Sequence, residues 1–268
     1  MRILVTGGAG FIGTNLIKKL LSDGHTVLSI DNYSTGKKDN EIEGGIYIPL
    51  DINVIQHMNE TSLGKIDIIF HLAAVARIQP SFDTPAEYID TNFNGTYNVV
   101  KYCTKYNIPL IYAGSSSHHS GKFKNPYTFS KDLGEDIIKL YQQHFSLKAS
   151  ICRFYNVYGP FQLTEGGYTT LIGKWLNNIE NNIECDIYGD GSKRRDFTHV
   201  DDIIDGLIRI SKQQAFGHIF EFGRGKNYSI NEVANLFNIT PRYLGDKPGE
   251  AQETLADYSH AASILAWE

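Results

Sequence analysis

Met1-Arg-Ile-Leu-Val-Thr-Gly-Gly-Ala-Gly-Phe-Ile-Gly13 decides how the rest of the chain is read. The apolar run Ile3-Leu4-Val5 reads as a buried strand that stops at Thr6. Three glycines follow as Gly8-x-Gly10-x-x-Gly13, and Ile12, Leu16, Ile17, Leu20 and Leu21 then recur with helical period. Strand, glycine turn and helix form the setting that a dinucleotide-binding turn requires. Glycine permits the tight turn and a close backbone approach to a pyrophosphate. The helix N-terminus offers free N–H groups and a positive dipole end to the phosphates. The next strand, His25-Thr-Val-Leu-Ser-Ile-Asp31, ends in an acid. A carboxylate there can accept from both ribose hydroxyls and repels a 2′-phosphate. Asn32 follows it, not an arginine, which favours NAD over NADP. Taken singly, the glycines also fit a turn without a ligand, and Asp31 fits a turn cap.

Working outward, strands and helices alternate through the first half. Further strands are expected at Ile46–Leu50, Lys65–His71, Pro109–Ala113 and Lys148–Phe154, and long helices over Ala86–Tyr106 and Tyr127–Phe145. This alternation implies an α/β fold, a doubly wound parallel sheet of Rossmann type, with ligands beyond the carboxyl ends of the strands. Those ends carry Gly7–Gly13, Asp31, Asp51, Leu72–Ala74, Gly114–Ser117 and Tyr155–Gly159. The second half is less regular. Helices are expected at Thr169–Asn181, Asp201–Ser211 and Ser229–Phe237, the last with a Ser229/Glu232 capping box, and strands at Cys185–Gly189 and His218–Gly223. No linker or repeat divides the chain. Residues 1–155 and 196–224 are expected to form the dinucleotide domain, interleaved with a smaller substrate region from 156–195 and 225–268.

The 268 residues are 41 % hydrophobic and 21 % charged, ordinary for a globular enzyme with a sizeable core. A net charge of −5 favours neither nucleic acid nor an anionic membrane surface, and no apolar run is long enough to span a bilayer. The chain is read as entering a strand at once, and no signal peptide is expected. Cys103, Cys152 and Cys185 show no metal-ligand spacing and read as reduced thiols of a cytoplasmic protein. No metal is expected.

Two stretches carry candidate chemistry. Asn125-Pro-Tyr-Thr-Phe-Ser-Lys131 puts Tyr127 and Lys131 on one face of a helix, with Asn125 suited to the N-cap and Pro126 to the first turn. Tyr33/Lys37, Tyr97/Lys101 and Tyr243/Lys247 share that spacing, but only Tyr127/Lys131 opens a helix after a serine cluster at a strand end. That cluster, Gly114-Ser-Ser-Ser117, can bind sugar hydroxyls and support a tyrosine; by itself it also fits a serine-rich turn.

With these pieces in place the sequence resembles the extended short-chain dehydrogenase/reductase family, in particular the nucleotide-sugar 4-epimerases that act on UDP-glucose or UDP-N-acetylglucosamine. The matching stretches are Thr6–Gly13, Asp31-Asn32, His71-Leu-Ala-Ala74, Thr91-Asn-Phe-Asn-Gly-Thr96, the serine triplet, Tyr127-x-x-x-Lys131, Arg153–Pro160 and Tyr188-Gly-Asp-Gly with Arg195–Asp202. They run in the family's order along nearly the whole chain. The resemblance implies NAD as cofactor, Tyr127 as base, Lys131 as its partner and a nicotinamide-ribose ligand, and Ser115 as the hydroxyl that helps the sugar proton move. It implies Gly7, Gly10, Phe11 and Ile12 at the pyrophosphate, Asp31 and Asn32 at the adenosine ribose, and Asp51 and Ile52 at the adenine. Leu72, Ala73, Ala74 and Asn92 would flank the cofactor's middle, and Phe154 the nicotinamide. Asn156 and Arg195 would hold the sugar nucleotide's diphosphate with Tyr188 nearby, and Lys247 and Glu250 stand where relatives carry Arg-Pro-Gly-Asp. Thr254 would form the sugar-pocket wall, small enough to admit an N-acetyl group, with Ser116 and Asn156 as partners for it; a slip of one residue would put Glu253 or Leu255 there. The two long helices would pair with a second copy in a homodimer.

Three departures stand out. Only nine residues, His118–Pro126, separate the serines from Tyr127, so a loop over the site is short. Lys247 keeps a charge but loses bidentate phosphate geometry. The chain ends at Trp267-Glu268, where relatives continue.

The implied reaction removes the sugar 4-hydroxyl proton and inverts C4 through a 4-keto sugar. A free tyrosine titrates near 10, so a phenolate at neutral pH needs ~4 kcal/mol of stabilisation, expected from the Lys131 ammonium and the cationic nicotinamide. A dehydratase or decarboxylase would place an acid after the active-site hydroxyl, where this chain has Ser116-Ser117. A reductase could draw on His118 or His119 as acid. A catalytically silent NAD-binding regulator would not need the Ser115/Tyr127/Lys131 set.

Overall fold

The computed structural model describes residues 1–268, Glu60 by its backbone alone. Seven parallel strands form one sheet: β1 (Arg2–Thr6), β2 (Thr26–Asp31), β3 (Ile46–Pro49), β4 (Ile68–His71), β5 (Leu110–Ser115), β6 (Ala149–Phe154) and β7 (Ile219–Phe222), in the order β7-β6-β5-β4-β1-β2-β3. Both faces are covered, which is why β1 and β4 read as unbroken apolar runs. β1 pairs with β2 on one side and β4 on the other, Leu4 facing Leu28 and Ile69. The strand order reverses there, and ligands of open α/β sheets bind at such a crevice.

Helices α1 (Phe11–Ser22) and α4 (Val200–Gln213) cover one face, burying Leu16, Ile17, Leu20, Ile203 and Leu207 against Ile3, Val5 and Phe220. Helices α2 (Thr96–Tyr106) and α3 (Pro126–Phe145) cover the other, with Val99, Val100, Cys103 and Ile138 against Leu4, Ile30 and Ile69. A smaller cluster of Trp175, Cys185, Ile187, Val233 and Ala234 forms its own core. It is built from the helices Leu171–Glu180 and Ile230–Leu236 and the paired strands Asp186–Tyr188 and Arg242–Leu244. The Ser229/Glu232 capping box is present, and Ser229 accepts from Glu232 N at 3.0 Å. The closing helix Ser259–Leu265 does not join this lobe: Ala261, Leu265 and Trp267 pack into the main core.

The stretch expected as a single helix from Ala86 to Tyr106 is helical from Pro85, but Ile89–Gly95 is a π-helix. A π turn accommodates an extra residue and widens the helix locally. Asn92 sits in that turn, fully buried. Its Nδ2 donates to Val75 O and Ser130 Oγ, both at 2.9 Å, and its Oδ1 accepts from Val75 N at 2.8 Å. His71, at the end of β4, is clamped between Thr6 Oγ1 at 2.7 Å and Thr96 Oγ1 at 3.0 Å. Burial drives its pKa down to about 3, so the imidazole is neutral. Among the described residues no helix is long and apolar enough to cross a membrane. The three cysteines are free and buried.

Candidate active site

A cavity of ≈ 420 Å³ runs along the carboxyl ends of the strands, from the β1–α1 turn to the smaller lobe. The turn shows why it must be glycine. Gly7 has φ +72°, and a Cβ on it would lie 2.8 Å from the Ala73 backbone. A Cβ on Gly13 would lie 2.1 Å from Gly7 O. The backbone thus passes beneath the cavity floor with no room for side chains, leaving Gly7, Gly10, Phe11 and Ile12 on the lining.

Asp31 lines the cavity at the end of β2 and is 8 % exposed. Its Oδ2 accepts from Ala9 N at 2.9 Å and its Oδ1 from Tyr33 N at 2.8 Å. Each carboxylate oxygen keeps a lone pair free for a ribose hydroxyl. Asn32 also lines the cavity and donates to Asp51 Oδ2 at 2.9 Å. Ile52, Leu72, Ala73, Ala74 and Phe154 complete the apolar walls.

Helix α3 presents the Tyr127/Lys131 pair. Its N-cap is Asn125, whose Oδ1 accepts from Thr128 N at 2.8 Å, and Pro126 opens the first turn. Tyr127, Lys131, Ser115 and Ser116 all line the cavity. Ser115 Oγ lies 2.9 Å from Ser117 Oγ. Burial pushes the Tyr127 phenol above its ordinary value; the Ser115 hydroxyl and the Arg77 guanidinium oppose that rise. Burial lowers the Lys131 ammonium to about 7, with Glu135 acting the other way, and Nζ stands 4.3 Å from the centre of the Tyr112 ring.

At the far end, Asn156 Nδ2 donates to Thr254 Oγ1 at 3.0 Å and to Asp196 O at 3.1 Å. Arg195 donates to Glu250 Oε2 at 3.1 Å. Asn156, Arg195, Glu250 and Thr254 line the cavity; Glu253 and Leu255 do not, and face a second, smaller opening beside it.

Several residues singled out in the sequence lie off the cavity lining. Asn92 is sealed behind the wall as a brace between Val75 and α3, while its neighbour Thr91 lines the cavity. Asp51 is not on the lining: it caps a short 3₁₀ turn through Asn53 N at 2.8 Å. Lys247 and Tyr188 are also off the lining, and the lysine ammonium lies 3.5 Å above the Tyr188 ring centre. His118 and His119 turn away from the cavity, to Asp132 Oδ1 at 2.9 Å and Glu221 Oε1 at 3.0 Å. Conversely, Arg77, Tyr168 and Thr170 line the cavity without having been singled out in the sequence. Arg77 directly follows the Leu72–Ala76 run, and a charge there was the available signal.

The glycine cradle, the acid at the end of β2 and the apolar walls fit a dinucleotide. Comparison with known proteins agrees. The family described as "NAD dependent epimerase/dehydratase family" matches residues 3–223. A putative UDP-glucose 4-epimerase of Methanocaldococcus jannaschii is 31 % identical over 99 % of this chain and 92 % of its own length. A UDP-N-acetyl-alpha-D-glucosaminuronate decarboxylase of Bacillus cytotoxicus is 31 % identical over 87 % of this chain and 78 % of its own. Among solved structures, the UDP-glucose 4-epimerase of Thermotoga maritima with UDP-glucose superposes with a TM-score of 0.93 at 27 % identity, covering 100 % of this chain and 93 % of that one. The chain belongs to the NAD-dependent epimerase/dehydratase family. It is an enzyme of nucleotide-sugar epimerase/dehydratase type, and its cofactor is NAD.

Proposed function

We propose that the protein is a 4-epimerase of a nucleotide sugar, of UDP-glucose or UDP-N-acetylglucosamine type. The observation that carries this reading is one continuous cavity holding the dinucleotide turn, then Ser115, Tyr127 and Lys131, then Asn156 and Arg195. NAD supplies a reversible hydride acceptor for C4. Tyr127 takes the proton of the 4-hydroxyl and later returns it, with Ser115 bridging to the sugar oxygen. Lys131 holds the nicotinamide ribose. Asn156 and Arg195 bind the diphosphate, Arg195 being kept in place by Glu250. Rotation of the 4-keto sugar between the two proton transfers inverts the centre.

Dehydration or decarboxylation is disfavoured because Ser116 and Ser117 occupy the place of the acid those reactions need. Reduction is disfavoured because both candidate histidines are bound to carboxylates outside the cavity. A silent binder leaves the Ser115/Tyr127/Lys131 convergence unexplained. Thr254 at the wall supports tolerance of a C2 acetamido group. Thr254→Tyr should then penalise UDP-N-acetylglucosamine over UDP-glucose by roughly 10- to 200-fold in kcat/KM. Helices α2 and α3, with Leu140 and Phe145 exposed on α3, support a two-fold homodimer.

The test is incubation with UDP-, dTDP- and GDP-sugars without added cofactor, for wild type and Tyr127→Phe. Inversion at C4 by the wild type alone is expected. No inverted product, or a Tyr127→Phe rate above about a tenth of wild type, overturns the reading.

A further inference from the structure

The turn after β5 has two sides. Ser115 ends the strand, and Ser116–Ser120 form one 3₁₀ turn. Ser115, Ser116, Ser117 and Ser120 line the cavity, whereas His118 and His119 project out of it. His118 Nδ1 lies 2.9 Å from Asp132 Oδ1, on helix α3 directly after Lys131. His119 Nε2 lies 3.0 Å from Glu221 Oε1, on strand β7. An ionised carboxylate only accepts, so in each pair the ring nitrogen donates. The two ring planes stand at 84°, and one short turn thereby grips two separate elements.

Both carboxylates are fixed. Asp132 is 5 % exposed, on the helix that carries Tyr127. Glu221 stands opposite Arg153 in the register of β6 and β7. Its Oε1 also accepts from Arg153 Nη1 at 3.0 Å, and its Oε2 from the Tyr155 hydroxyl at 2.8 Å. Arg153 in turn forks onto Glu135 of α3, at 2.9 and 2.6 Å. The turn has less support of its own, since 3₁₀ hydrogen bonds are poorly aligned. Among the described residues, the two histidines make the only side-chain hydrogen bonds from Ser116–Ser120 to elements beyond β5. The turn also sets the Ser115 hydroxyl. Ser115 Oγ accepts from Ser117 N at 3.2 Å and lies 2.9 Å from Ser117 Oγ, next to His118 in the chain.

We propose that His118 and His119 are positioning residues for proton transfer: they pin the serine turn between α3 and β7 and so hold the Ser115 hydroxyl toward Tyr127. This rests on the epimerase reading, which gives Ser115 and Tyr127 their roles. The Glu221 hydrogen bond raises the His119 pKa, and a charge-assisted bond grips more firmly than a neutral one. Ser115 is one of the groups that oppose the rise of the Tyr127 phenol, so a displaced turn should let that phenol titrate higher.

The test compares wild type with three double variants and a control. The first variant is His118→Ala with His119→Ala. The second is His118→Asn with His119→Gln, whose amide nitrogens stand in for Nδ1 and Nε2. The third repeats the alanine pair in a Ser115→Ala background, with Ser115→Ala alone as control. Tyr127 is titrated by carbon-13 tyrosine NMR in NAD-loaded protein, its resonance assigned with Tyr127→Phe. C4 inversion of UDP-glucose and UDP-N-acetylglucosamine and the NAD dissociation constant are measured separately. The alanine pair should lower kcat about tenfold, leave KM and NAD affinity within about threefold, and raise the Tyr127 titration as Ser115→Ala does. The Asn/Gln pair should recover most of both effects. In the Ser115→Ala background the alanine pair should add nothing, because the route runs through that hydroxyl. An unchanged Tyr127 titration overturns the proposal, as does an Asn/Gln pair no better than alanine. Losses that add to those of Ser115→Ala overturn it as well, and so does a fall in NAD affinity matching the fall in kcat, which marks a general loosening of the cavity. Absence of inversion by wild type would sink the epimerase reading, and the Tyr127 titration would still decide the role of the histidines.

Discussion

Replacing Gly13 by alanine should disable the cofactor site while leaving the fold largely intact. The new Cβ would stand 2.1 Å from Gly7 O, 2.7 Å from Gly8 Cα and 2.9 Å from Gly7 C, all backbone atoms. Ordinary contact begins at 3.4 Å, so the turn and α1 must part by more than 1 Å. Helix α1 is poorly placed to give way, since Leu16, Ile17 and Leu20 are buried in the core. The turn must therefore move, and it is tied on its other side by Gly7 N donating to Ile30 O at 2.8 Å. Overpacking of this kind costs ~1–3 kcal/mol of stability. A displacement of that size also takes backbone donors out of hydrogen-bonding range of a pyrophosphate. Each charge-assisted bond lost weakens NAD by roughly 10- to 100-fold. Gly24→Ala is the control. Gly24 has φ +81° but nothing within 4 Å of a Cβ, so alanine there strains the backbone away from the cavity. The assay pairs the NAD dissociation constant with the urea midpoint for both variants. An NAD affinity for Gly13→Ala within threefold of wild type, or an equal loss for Gly24→Ala, would refute the steric argument.

Wild type should bind NAD more tightly than NADP. Asp31→Ala should weaken NAD, narrow that gap, and destabilise the fold by leaving the Ala9 and Tyr33 N–H groups without their acceptor. Light scattering at micromolar concentration should give a dimer mass, and Leu140→Glu with Phe145→Glu should give a monomer; a monomeric wild type removes the proposed interface. In the NAD-free protein, Lys131 has a folded pKa of about 7, below its unfolded value near 10.5. Between those values the unfolded chain binds more protons, so this group makes stability rise with pH. Relative to Lys131→Met, wild type should gain stability between pH 7 and pH 9 in urea titrations, and a parallel pH dependence of the two proteins would contradict the burial effect.

What could be read in the sequence was local. Gly8, Gly10 and Gly13 declare a turn by spacing, Asp31 marks a strand end, and Asn125-Pro126 opens the helix that carries Tyr127 and Lys131. Each of these patterns lies within about a dozen residues of chain. What could not be read depended on contacts made across the fold. The π turn that draws Asn92 inward is indistinguishable by composition from a regular helix. Lys247 supplies a charge in sequence, but its stacking on Tyr188 is set by the pairing of the strands Asp186–Tyr188 and Arg242–Leu244. Asp51 is an acid near a strand end, as Asp31 is, yet its carboxylate is engaged by Asn53 and Asn32. Arg77 sits on an aperiodic segment, and its place on the lining, held by Tyr168 O, shows only once its neighbours are placed.

The main core joins residues from both extremes of the chain. Ile3, Val5 and Leu16 share one cluster with Ile203, Phe220, Leu265 and Trp267. Trp267 Nε1 donates to Asp202 O at 2.8 Å, and Arg209 Nη1 to Ala266 O at 2.9 Å, fastening the closing segment onto α4. Contacts of such sequence separation close slowly, because the intervening chain must be ordered first. A nascent chain that had emerged only as far as residue 195 would lack α4, β7 and Trp267. It would present the apolar face behind the dinucleotide turn to solvent, and the β6 edge without its partner strand. Vectorial synthesis therefore leaves Ile3, Val5 and Leu16 uncovered until α4, β7 and Trp267 have emerged.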